Sequence, residues 1–119
     1  MSVAALLAII AGTPLAGTPL AASANPTSVT GAGSGFAPET VTTGSTTVTA
    51  AGGVAPYTYN WVLVSGDANI RTTNPAAATT RFDYFSMPVG ASASAIFRCT
   101  VTDAALATVI VEVTADLMN

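Results

Sequence analysis

The sequence predicts an all-β domain, an antiparallel β-sandwich of six or seven short strands, preceded by an apolar N-terminal segment. Three observations predict it. From about Asn25 onward, short runs of alternating apolar and polar residues are bounded by Gly and Pro. They recur at about 8–12-residue spacing, as in sandwiches. The composition is rich in Thr, Val, Ala and Ser, with 50% hydrophobic and only 8% charged residues, which favours strands. No stretch after Asn25 repeats apolar residues at helical spacing. At 119 residues the chain is long enough to bury a core without staples.

The N-terminal segment, residues 1–24, is treated as one region and the sandwich as residues 25–119. No charged residue precedes Glu39. Ser2 can cap a short helix in which Val3, Leu6, Leu7 and Ile10 share one face. Gly12 and Pro14 stop that helix. The tandem GTPLA repeat that follows is expected to be extended, because each Thr precedes a Pro. A secretory leader would need a basic n-region, and the first Arg is Arg71, although Ala22-Ser23-Ala24 resembles a cleavage site. A membrane span would have the length but is broken by Gly12, Pro14, Gly17 and Pro19. The favoured expectation is a retained assembly arm anchored by Val3, Leu6, Leu7 and Ile10.

The strands follow in order. Pro26–Gly31 reads as a short first strand, and Gly31–Gly35 as a loop. Val41 and Val48 have opposite parity within one run, so a bulge or kink at Gly44 is required to bring both to the same face. Pro56–Val64 is the clearest strand, with Tyr57, Tyr59, Trp61 and Leu63 on the core face. Ser65–Asp67 is a turn, and Thr72–Thr80 a loop with an Asn-Pro turn. Arg81–Met87 directs Phe82 and Tyr84 inward. Ser94–Ala104 does the same with Ala95, Phe97, Cys99 and Val101. Ala105–Ala115 closes the domain with Val109, Val111 and Val113 inward.

Composition excludes several kinds of chemistry. Net charge is −3, with three Arg, no Lys and no His, so phosphate-backbone binding lacks its cations. Cys99 is the only cysteine, which rules out an internal disulfide. It alternates with core positions and reads as a buried, inert thiol. No general base stands near a nucleophile. Glu112 and Asp116, the one close acidic pair, read as solvated strand-end charges. Asp103 reads as a turn residue bonding backbone. No catalytic residue, metal ligand or cofactor is expected, nor is a membrane partner.

At Gly52–Trp61 (GGVAPYTYNW) and Ile96–Ala104 (IFRCTVTDA) the chain resembles the PKD-like and bacterial Ig-like β-sandwich modules of bacterial surface proteins and tailed-phage virions. The resemblance covers roughly residues 24–119. It implies that Trp61 is the core Trp of the third strand, Cys99 the penultimate-strand cysteine and Phe97 the tyrosine-corner position. Two departures stand out. The residue facing Cys99 is expected to be Val48, so no bridge forms, and Phe97 lacks the corner hydroxyl.

If the strands holding Trp61, Cys99 and Val111 share a sheet, as the resemblance implies, its outer face carries Val62, Val64, Ile96 and Ile110. Thr100, Thr102 and Thr108 lie between them, and Arg98 and Glu112 are expected as the only charges. A contiguous apolar patch of this kind marks an interface. Together with the arm and the sparse charge, the resemblance implies a structural virion protein. The expected role is a capsid decoration or auxiliary head protein, with the major capsid protein or other virion subunits as partners and self-association in a large assembly. The alternatives are a tail or fibre component, or a secreted bacterial surface or adhesin module with residues 1–24 as leader or anchor.

Overall fold

A computed structural model of the chain describes residues 18–119. The expected N-terminal helix and its residues Val3, Leu6, Leu7 and Ile10 lie outside the described residues. Ten strands follow in order: β1 (Ala21–Asn25), β2 (Ser28–Ala32), β3 (Glu39–Thr42), β4 (Thr46–Ala51), β5 (Thr58–Gly66), β6 (Ile70–Thr72), β7 (Thr79–Thr80), β8 (Phe82–Met87), β9 (Ser92–Thr102) and β10 (Thr108–Met118). The fold is all-β. Every pairing is antiparallel except that of β2 with β10. Among the described residues no helix is long and apolar enough to cross a membrane.

One sheet has the order β2-β10-β9-β5; two smaller ones have the orders β1-β4-β7 and β3-β8-β6. The smaller two are joined across a shared seam. Thr43 N–H donates to the Phe82 carbonyl at 2.9 Å, and Phe82 N–H donates to Thr43 Oγ1 at 3.1 Å. These bonds carry the pairing past the interruptions at Thr43–Ser45 and Arg81. The interruption at Gly44 does what the parity argument required. Val41 and Thr43 are buried on one side of it and Thr46 and Val48 on the other. The inserted residues return both halves to one face.

The chain passes from one sheet to the other between β1 and β2, at the cis Asn25–Pro26 bond. β2 then lies close against β3. A Cβ on Gly31 would stand 2.6 Å from the Thr42 carbonyl oxygen, so only glycine allows this approach.

A single core gathers Val29, Val41, Val48, Trp61, Ile70, Phe82, Met87, Phe97, Cys99, Val101, Val113 and Leu117. Trp61 meets Phe82 edge-on with centroids 5.7 Å apart, and Phe82 stacks on Phe97 at 4.4 Å. The Trp61 indole N–H is satisfied by the Ala77 carbonyl at 2.9 Å, as a buried Trp requires. Phe97 therefore fills the core with its ring, where a tyrosine corner would make a hydrogen bond.

Several expectations need correction. The sandwich begins earlier than residue 25. Ala21–Asn25 pairs with β4 over five residues, so the last residues expected in the arm form the first strand. Leu63 is not a core residue but 37% exposed. A bulge inserts Val64 between Leu63 and Ser65, and β5 is an edge strand. Val109 and Val111 are only half-buried, while Ala115 and Leu117, beyond the expected inward set, are buried because β10 runs on to Met118.

Candidate interface on the four-stranded sheet

The outer face of the β2-β10-β9-β5 sheet follows from the strand register. Asn60, Thr100 and Ile110 form one cross-strand row, and Val62, Arg98 and Glu112 the next. Ser65, Ile96, Thr114 and Ser28 follow, then Ser94, Asp116 and Thr30. All four residues of the expected patch are exposed on the described chain: Val62 at 43%, Val64 at 42%, Ile96 at 36% and Ile110 at 55%. The structure does not make them one patch. Val62, Val64 and Ile96 cluster on the β5–β9 side. The row holding Arg98 and Glu112 separates Ile110 from Ile96.

Arg98 and Glu112 pair across the strands. The guanidinium Nη2 and Nε donate to the same carboxylate oxygen, Glu112 Oε2, at 2.8 and 3.1 Å. Both side chains remain about two-fifths exposed, so the pair contributes at most about 1 kcal/mol. They are not the only charges on this face. Asp116 also points outward and accepts the Ser94 hydroxyl. Each member of the Glu112/Asp116 pair is engaged by its β9 neighbour, Arg98 or Ser94.

Below the apolar cluster, small side chains leave a recess of 480 Å³ whose lining includes Thr30, Gly31, Ala32, Ser94, Asp116 and Met118. At Ser94 it meets a second recess of 220 Å³ bordered by Ser65, Gly66, Ile96 and Thr114. The sequence reading missed this trough. Its signal was present in the outward Ser92 and Ser94 of Ala91–Ala95 (ASASA), but the other wall comes from β2, whose partner the sequence does not name.

Asp103 and Asn119 tie loops together at the two ends of the sheet. Asp103 accepts N–H bonds from Val54 at 2.9 Å, Ala107 at 2.8 Å and Ala105 at 3.0 Å. The Val54 bond contributes most to holding its carboxyl below the usual range, with the Ala107 and Ala105 bonds adding to it against the effect of burial. Asp103 thus ties the β9–β10 turn to the loop before β5. Burial pushes the Cys99 thiol up, against a smaller lowering by a backbone bond from Asn60, which keeps it unreactive. At the opposite end, Asn119 accepts the Gly35 N–H at 2.9 Å and donates to the Ala37 and Met87 carbonyls at 2.9 and 2.7 Å. Those bonds hold a loop on which Phe36 is 91% exposed. Among the described residues no group of three or more His, Cys, Asp or Glu could hold a metal ion.

The chain matches no protein-family model and no curated protein sequence. The arrangement offers a broad, nearly uncharged surface with a ridge, a trough and one ion pair.

Proposed function

We propose that this chain is a structural protein of a tailed-phage virion, acting without catalysis as a capsid decoration or auxiliary head protein. The observation that carries the proposal is the outer sheet face. Val62, Val64, Ile96 and Ile110 are exposed there, and the only charges on the face are the self-paired Arg98 and Glu112 and Asp116. Such a face suits a domain packed into a larger assembly.

The strand order supports an Ig-like sandwich of the PKD-like kind. If β1 and β2 are strands A and A′, β3–β4 strand B, β5 strand C, β6 strand D, β7–β8 strand E, β9 strand F and β10 strand G, the two layers read A-B-E-D and A′-G-F-C. Trp61 on C and Cys99 on F then hold the positions that the resemblance assigns, with Val48 and Cys99 buried in one unbridged core.

The position of β1 supports retention of at least residues 21–24. A leader cut after Ala24 would remove most of a strand that pairs with β4. Residues 1–17, which carry no charge, would act as the arm that binds shell subunits. Burying about 300 Å² of apolar area per copy yields on the order of 7 kcal/mol before association costs, and the gain multiplies over a shell.

The test is a deletion of residues 1–17, which leaves β1 whole; a cut at residue 22 would not. Intact mass and sedimentation of native material are compared with those of the deletion. The proposal expects the segment in megadalton particles and a folded deletion product that fails to join them. Native material that is a small species lacking the segment would replace this reading with the secreted-module alternative.

A further inference from the structure

We infer that the outer face of the four-stranded sheet is a homotypic contact. A second copy of this chain packs face to face on it, about a twofold axis passing between Arg98 and Glu112. This rests on the interface reading above and names the occupant of that face.

Charge is the first argument. The apolar part of the face carries one cation and one anion side by side on adjacent strands, in register at Arg98↔Glu112. An axis lying in the face between them sets each Arg98 opposite the other copy's Glu112. Four charges then alternate around the axis, and none is left facing its like. An isologous contact requires this kind of self-complementarity. A partner of strong single sign would gain from one member and lose from the other.

Shape is the second. The same rotation lays the β5–β9 side of each copy over the β10–β2 side of the other. Val62, Val64 and Ile96 project from the first side. The rotation keeps each residue's position along the strands, so Ile96 and Ser65 of one copy meet Thr114 and Ser28 of the other, the small uncharged residues of the same cross-strand row.

The third argument is what is blocked. β5 and β2 are the two edges of this sheet, and edge strands are the usual sites of chain-to-chain pairing. On β5 the outward N–H of Trp61 already donates to the Pro75 carbonyl at 2.8 Å, and on β2 the Thr30 carbonyl already accepts the Gly44 N–H at 3.1 Å. Each edge is thus partly taken up by its own chain, which favours the face for pairing.

Size sets the strength. Four strands at about 4.8 Å spacing and nine residues at about 3.4 Å rise give at most about 590 Å² per copy, since β2 has only five residues. The total of at most about 1,200 Å² lies at the low end for a specific contact. Such a contact is weak and matters only where copies are concentrated or tethered.

The test uses sedimentation of the full chain over a range of concentrations, with Arg98→Glu and Glu112→Arg prepared separately. Both side chains are exposed, so Trp61 fluorescence should report an unchanged fold. Each variant alone should dimerise at least about tenfold more weakly than the unsubstituted chain. Their equimolar mixture should recover to within about threefold, because one copy then brings two acidic and the other two basic side chains to the axis. The internal ion pair is broken in both, so recovery reports the contact between copies. A mixture no tighter than the single variants overturns the inference, as does an unsubstituted chain that stays monomeric to about 1 mM. Self-association that ignores these charges but disappears on deleting residues 1–17 also overturns it, while leaving the arm proposal standing. A successful mixture with no entry into particles does the reverse.

Discussion

Truncating Phe82 tests the core most directly. Its side chain is fully buried, edge-on to Trp61 at 5.7 Å and stacked on Phe97 at 4.4 Å. It also sits where β8 meets the Thr43 interruption, so its ring and its backbone join the two smaller sheets. Phe82→Ala removes the ring from a site with no slack, and such changes cost about 3–5 kcal/mol. A small domain has about 5–15 kcal/mol in all, and no disulfide backs this one. At about 4–8 °C per kcal/mol the melting temperature should fall by about 12–40 °C. Trp61 is the only tryptophan and touches the site, so urea unfolding followed by its fluorescence is a clean assay. Phe85→Ala is the control: three residues along β8, it is 68% exposed, and its loss should cost under about 0.5 kcal/mol. A larger cost for Phe85→Ala than for Phe82→Ala would refute the reasoning, because it would mean β8 is out of register and its faces exchanged. A cost under about 1 kcal/mol for Phe82→Ala would equally show that the aromatic trio is not the centre of the core.

Three further outcomes follow. Asp103→Asn turns an acceptor toward the Val54 N–H into a donor, and should lower the melting temperature at pH 7 by about 5 °C. Because the folded carboxyl is held below its unfolded value, its contribution is fully present above the unfolded pKa of about 3.9 and is lost as pH falls through the folded one. The gap between the two proteins, read by thermal melts from pH 7 to pH 2, should close only below about pH 4. Gly31→Ala places a methyl 2.6 Å from the Thr42 carbonyl oxygen and should destabilise by about 1–3 kcal/mol in urea titration, with the m-value unchanged. Cys99 should resist a thiol reagent in the native protein and react fully in denaturant, and labelling of the native form at the unfolded rate would contradict its burial.

What could be read from the sequence depended on whether large side chains marked the pattern. Trp61, Phe82, Phe97, Cys99 and Val101 alternate with polar residues, so their faces were legible, and the opposite parity of Val41 and Val48 required the break at Gly44. β1 was invisible because Ala21–Asn25 (AASAN) offers only small side chains, and small alternation does not distinguish a strand from an extended linker. Leu63 keeps the inward register, opposite Phe97, but stays 37% exposed on an edge strand, and local alternation does not say which strand lies at an edge. The candidate face divides along the same line. Its exposed Val and Ile residues were legible once three strands were placed side by side, and that placement came from the family resemblance. The trough and Asp116 were not. They depend on β2 lying parallel to β10, which pairs Thr30 with Asp116 from far apart in the chain. Local periodicity carries no information about such a pairing. The face therefore shows its apolar ridge in the sequence, but the recess beside it exists only once the chain has folded.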